Sequence, residues 1–199
     1  MDHLLECAEA FEQLLDVQYH IVLGRKNRLT ELTLRFDPTE FHHLVGLHKL
    51  RDLRLARGNR EKIFHQILSK TICMEDIKKS RYFPEIQDRM FFFDKIEYLL
   101  DSNKTIFRYN EKLQTFSMIE AEYLLSTPYK EMDIYIFLDR NIEQGHFFCR
   151  SFFQKGEKDY TKGQAVYTLL KKEITIVSTG KTVVQYDRLM LRCWGQKVF

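Results

Sequence analysis

The chain has 199 residues, of which 44% are hydrophobic and 30% charged, and a net charge of +3. That balance excludes a disordered chain and supplies enough apolar material for a buried core. The weak positive charge permits an anionic partner without demanding one, so only local clustering of cations can argue for nucleic acid.

Sixteen phenylalanines and ten tyrosines point to an aromatic-rich core or sheet face. No apolar run approaches the roughly 18 to 20 residues needed to cross a bilayer, so no membrane association is expected. The cysteines Cys7, Cys73, Cys149 and Cys193 stand far apart, with no C-x-x-C or C-x-x-H pair. That spacing argues against a zinc site. With no visible targeting segment, the expectation is reduced thiols in a cytoplasmic protein.

In chain order, Leu4 to Leu15 gathers Leu4, Leu5, Ala8, Phe11, Leu14 and Leu15 on one side of a helix. Tyr19–Leu23 and Leu29–Phe36 read as strands joined by the polar hairpin Gly24-Arg25-Lys26-Asn27. Asp37-Pro38-Thr39 supplies a turn and a helix start. One helix is predicted through Phe41–Leu53, ending before Arg57-Gly58-Asn59; further helices follow at Arg60–Lys70, Met74–Ser80 and Pro84–Asp101. The last buries Ile86, Met90, Phe93, Ile96 and Leu100, with Glu97 on the same face in need of a partner or an edge position.

From Thr105 the apolar period changes from 3.6 to two residues. Strands are predicted at Thr105–Tyr109, Ser117–Leu125, Asp133–Leu138, His146–Phe153, Ile174–Ser178 and Val183–Arg192, with Tyr167–Lys171 a short helix or another strand. The expected architecture is a single α+β domain over residues 1–199, with helices packed on one face of an antiparallel β-sheet.

The chemically richest stretch is Phe41–Leu53, which sets three histidines, a lysine, an arginine and an aspartate among apolar residues. On a helix Phe41, Leu44, Val45, Leu47 and His48 share a broad face, with Asp52 one turn after His48. A histidine on an apolar face needs a partner, and Asp52 can supply one. His48 is then either half of a buried structural pair or the oriented base of an active site. His42 and Lys49 fall on one flank and His43 on the other. Gly46 in this pattern costs about 1 kcal/mol relative to Ala, which calls for an offsetting close approach of backbone or ligand.

The segment Phe41-His42-His43-Leu44-x-Gly46-Leu47-His48-Lys49-Leu50-x-Asp52 resembles a phage-associated subgroup of the Barnase–EndoU–colicin–RelE-like nuclease superfamily. Lys79-Ser80, Arg89, Ser151-Phe152-Phe153, Tyr160 and Gln164 add to the likeness, which spans about Tyr19 to Tyr167. The resemblance implies a Barnase/RelE-like fold and metal-independent cleavage of RNA, often in toxins or phage-borne proteins. Catalytic residues vary between subgroups, so no fixed set is carried over.

Such cleavage uses the 2′-hydroxyl as nucleophile and needs a base, an acid for the leaving 5′-oxygen, and cations or donors for the phosphorane. His43, His48, Lys49, Ser151 and Tyr160 are the catalytic candidates, and Arg89, Arg108 and Gln164 the substrate-binding ones. Each also has an ordinary reading as a core histidine, a surface charge or a strand or loop residue. The cations Arg51, Arg54, Arg57, Arg60 and Lys62 are either a solvated helix end or a stripe that touches RNA. No metal and no other cofactor are expected; RNA is the expected partner, with a cognate inhibitor protein a further one. The competing reading is a catalytically inactive nuclease-like domain that binds RNA or protein.

Overall fold

A computed structural model describes residues 2–114 and 117–189. Asp2 caps helix α1 (His3–Leu14) by accepting hydrogen bonds from the Leu4 and Leu5 N–H groups at 3.0 and 3.2 Å. The predicted inner face is the one buried: Leu4, Ala8, Phe11 and Leu14 have no exposed surface. Strands β1 (Val17–Arg25) and β2 (Arg28–Leu34) follow as an antiparallel hairpin. Its two turn residues, Lys26 and Asn27, both have positive φ, as a tight hairpin of matching twist requires.

Five short helices come next: α2 (Pro38–Leu44), α3 (Arg60–Leu68), α4 (Met74–Lys78), α5 (Gln87–Met90) and α6 (Ile96–Ser102). The long helix predicted over Pro84–Asp101 is divided between α5, α6 and two 3-10 turns. The predicted inner face survives this division, since Ile86, Met90, Phe93, Ile96 and Leu100 are all buried while Glu97 faces solvent.

Strands β3 (Thr105–Arg108), β4 (Tyr123–Tyr129), β5 (Met132–Asn141), β6 (His146–Gln154), β7 (Ala165–Ile176) and β8 (Thr182–Asp187) complete the chain. Residues Tyr167–Lys171 lie inside β7, and Ser117–Glu122 precede β4 rather than belonging to it. The end of the last predicted strand, Met190–Arg192, lies outside the described residues, as does Cys193.

The expectation of helices on one face of an antiparallel sheet is not met. β1 pairs with β2 on one edge and with β7 on the other, so seven strands close in the order β1-β2-β6-β5-β4-β3-β7. The closure is mixed, because β2 meets β6 in parallel at Leu34 and Phe147. β8 continues along β7 beyond the end of β3. Alternating apolar residues look the same in an open sheet and in a barrel, so the pattern could not reveal this closure. Bulges at Val22/Leu23 and Phe137/Leu138 bend the strands. At the β1–β7 seam, a Cβ on Gly24 would stand 2.7 Å from Leu170 Cδ1, so a larger residue there requires that leucine tip to shift.

The inward strand residues and the apolar helix faces form one core. Phe11 is its hub, with ring centres of Phe36, Phe41, Phe64 and Phe93 between 5.8 and 6.1 Å away. A second cluster of Tyr109, Leu124, Tyr135 and Phe137 packs Phe153 and Tyr160 against it. Lys172 on β7 is 1% exposed, and its ammonium donates to the carbonyls of Leu100, Asp101 and Asn103 at 2.7, 3.1 and 3.0 Å. It thereby satisfies the free carbonyls at the C-terminus of α6 and ties that helix to the barrel.

Candidate functional site

Helix α2 begins with Asp37 as N-cap, whose carboxylate accepts from the Thr39 N–H at 2.9 Å, and with Pro38 in the first turn. Burial, with the Asp37 carboxylate next, pushes the Glu40 carboxyl in the first turn up to about 8, while the backbone of Cys149 on β6 acts the other way. The helix runs only to Leu44. Gly46 has φ +88°, a left-handed conformation that stops the helix, and Leu47–Lys49 then form a 3-10 turn.

The helix predicted through Leu53 is therefore corrected, and with it the His48–Asp52 pair. Asp52 instead accepts from the Ser80 hydroxyl and, at 3.0 Å, from the Arg81 N–H. The neighbours of Gly46 are side chains and not the backbone or ligand expected: a Cβ there would lie 2.7 Å from Ile86 Cγ2 and 3.5 Å from Arg89 Cδ.

The break has a geometric result. On a continuous helix, residues five apart point about 140° away from each other. Across the left-handed turn His43 and His48 stack, with ring centres 4.2 Å apart and planes inclined by 13°. Burial is the main force holding both imidazoles neutral, pushing His43 down to about 4 and His48 to about 3. Cations add to it: Arg89, Arg150 and Arg60 around His43, and Arg89 and Lys49 around His48. Burial, with Arg89 next, also holds Lys49 below the usual ammonium range. The Nδ1 of His48 is buried with no hydrogen-bond partner.

Arg89, from α5, joins the helical side of the site to the barrel. Its guanidinium lies 5.5 Å from the Phe153 ring centre on β6 and feels the Tyr160 hydroxyl. Tyr160 stands with its ring 5.6 Å from that of Phe153. The adjacent Asp159 holds the loop by accepting from Tyr135 Oη and from the Thr161 N–H, at 3.1 and 2.9 Å. Arg150 is the extra residue of a β-bulge, since Leu138 pairs with Cys149 and Phe137 with Ser151. Such a bulge re-aims a side chain, and here the guanidinium acts on His43.

His43 also lines a cavity of about 510 Å³ between α2 and the β5–β6 hairpin, together with Glu40, Arg60, His146, Phe148 and Arg150.

Of the candidates read from the sequence, His43, His48, Lys49, Arg89 and Tyr160 come together. Ser151 is next to Arg150 on β6, buried opposite Phe137. Arg108 and Gln164 stand elsewhere. Arg108 pairs with Glu122 at 2.5 Å and lies over the Tyr123 ring, and Gln164 bonds the backbone N–H and carbonyl of Asn110 at 2.8 and 3.1 Å. His42 is spent on structure, its Nε2 2.9 Å from the Leu55 carbonyl. Arg150, Glu40 and His146 were not singled out by sequence reasoning, because bulge and cavity positions leave no periodic signal.

Among the described residues, no three His, Cys, Asp or Glu side chains are grouped to hold a metal ion, and no helix is long and apolar enough to cross a membrane. Nothing among curated proteins or solved structures matches the chain. The model of the family described as phage-Barnase-EndoU-ColicinE5/D-RelE like nuclease4 matches residues 3–189, and the chain belongs to that family.

Proposed function

We propose that this nuclease-family chain is a metal-independent endoribonuclease that cleaves RNA by attack of the 2′-hydroxyl on the adjacent phosphorus. The observation that carries the reading is the stacked His43–His48 pair set among Arg89, Lys49 and Arg150. A neutral imidazole beside fixed cations combines a proton acceptor with a phosphate cradle.

In this reading His43, at the rim of the cavity, takes the 2′-hydroxyl proton as the P–O2′ bond forms. His48 stacks on it and braces the ring. Lys49 stabilises the phosphate and, with its proton affinity weakened by burial, protonates the 5′-oxygen as the P–O5′ bond breaks. Arg89 neutralises the charge that develops on the phosphorane, and the hydroxyls of Tyr160 and Ser151 are donors from the barrel side.

The test is purified protein incubated with RNA in EDTA. Fragments ending in 2′,3′-cyclic phosphate are expected. RNA that is retained but uncut, or products ending in 5′-phosphate, would overturn the reading, the former in favour of a non-catalytic RNA-binding domain.

A further inference from the structure

The end of the barrel where the β1–β2 turn lies gathers arginines that the catalytic reading does not use. Along β1 the core-facing residues are Val17, Tyr19, Ile21 and Leu23, and along β2 they are Leu32 and Leu34. The two-residue period carries that face out to Arg25 and Arg28. On β5, Ile134, Ile136 and Leu138 face the core, which sets Arg140 on the same side. Three strands thus bring three guanidiniums to the mouth of the barrel.

Aromatic rings support them. Arg25 lies 5.6 Å from the Tyr167 ring centre and Arg140 lies 5.9 Å from that of Phe147. Tyr123 meets both rings edge-on, with centres 6.1 Å from Tyr167 and 5.6 Å from Phe147. Tyr123 and Phe147 are buried, so they form a floor under the cations. Arg108 also lies over Tyr123, but Glu122 already neutralises it.

Two observations ask for an anion here. Arg25 and Arg28 stand directly opposite each other across the hairpin, and like charges so placed repel. Among the described residues, no carboxylate forms an ion pair with Arg25, Arg28 or Arg140. Arg25, Lys26, Arg28 and Tyr167 also line a recess of about 570 Å³, roomy enough for an entering chain.

We infer that this mouth is a second RNA-binding site, in which Arg25, Arg28 and Arg140 hold phosphates of the same single strand that reaches His43. The inference rests on the ribonuclease reading above. Continuity with the catalytic cluster favours this occupant. Arg140 pairs with Phe147 on the β5–β6 hairpin, and the next pair, Asn141 and His146, lines the cavity that His43 borders. One hairpin therefore turns one face to the mouth and the other to the cluster. The rings of the floor are covered, so the contacts are to the backbone and carry no base preference.

The experiment is fluorescence anisotropy of the whole protein with 2′-O-methyl oligo(A) and oligo(U), which lack the attacking hydroxyl. The parent is compared with Arg25→Ala/Arg140→Ala. Neither arginine leaves a carboxylate unpaired, and losing Arg25 relieves its repulsion with Arg28, so the melting temperature is expected near the parent value. Loss of two phosphate contacts should flatten the slope of log affinity against log salt by about 1.4, and weaken binding about tenfold or more at about 100 mM salt, equally for both oligomers. Arg25→Lys/Arg140→Lys keeps the charges and should keep the slope. An unchanged slope in the alanine variant, a flattened one in the lysine variant, a loss confined to one oligomer, or a parent that binds neither overturns the site. So does polyglutamate that binds as tightly as RNA and is lost in the same variant, which would make the mouth a seat for an acidic protein. The two readings fail separately. Uncleavable RNA held through these arginines stands even where the EDTA assay yields no cyclic phosphate, and cyclic-phosphate products stand even where the slope does not change.

Discussion

The Gly46→Ala change tests whether a single backbone conformation builds the site. Gly46 has φ +88°, which for an L-residue costs about 1–2 kcal/mol. The new Cβ would also lie 2.7 Å from Ile86 Cγ2 and 3.2 Å from Ile86 Cβ. Ile86 has no exposed surface, so it cannot swing into solvent, and forced repacking of that kind costs about 1–3 kcal/mol. Removing a glycine from the unfolded chain returns about 0.5–1 kcal/mol. The net expectation is a loss of about 2–4 kcal/mol, read as a lower midpoint in urea with an unchanged slope.

Gly46→Asn separates the two causes. Asparagine tolerates left-handed backbone but still collides with Ile86, so it should fall between the parent and Gly46→Ala. At a temperature where Gly46→Ala is still folded, RNA cleavage should be reduced further than the folded fraction alone accounts for, because the turn is what stacks His43 on His48. A Gly46→Ala protein within about 0.5 kcal/mol of the parent, or one that cleaves normally, would refute the reasoning.

Four further outcomes are expected. His43→Ala and Lys49→Ala should each lower kcat/KM for RNA by about 100-fold or more while Tm stays near the parent value; normal cleavage, or failure only through unfolding, counts against the assignment. The acid limb of kcat/KM should lie near pH 4 instead of near 6.5, because the His43 base must be neutral in the free protein. By the same shift the unfolded chain takes up protons before the folded one, so the stability from this group is full above pH 6.5 and falls as the pH drops toward 4, a trend that urea midpoints across that range should show. Lys172→Met should cost about 3 kcal/mol in urea unfolding by leaving the three carbonyls at the end of α6 without their donor; a change under about 1 kcal/mol would mean water replaces the ammonium.

Local elements with a strong period were legible in the sequence: α1, the β1–β2 hairpin and the buried face of residues 86–100. Each is decided by contacts close along the chain. Barrel closure is decided by β1 finding β7, some 150 residues away, and by one parallel contact between Leu34 and Phe147. Neither leaves a mark in the alternation of side chains. The site shows the same division. His43, His48 and Lys49 of the candidate site could be read from Phe41–Leu53, but their geometry could not. A helical pattern containing both His48 and Asp52 favoured a pair that the chain does not form. The useful signal was the conflict itself: a glycine inside an apolar helical pattern, flanked by His43 and His48. Where local preference and the surrounding pattern disagree, the cause is often functional. Here the left-handed turn at Gly46 ends the helix, admits Ile86 against the backbone, and folds His48 back onto His43 beside Arg89. A residue that improved the helix would disperse the cluster, so the weakest helical position in the segment is the one that makes the site.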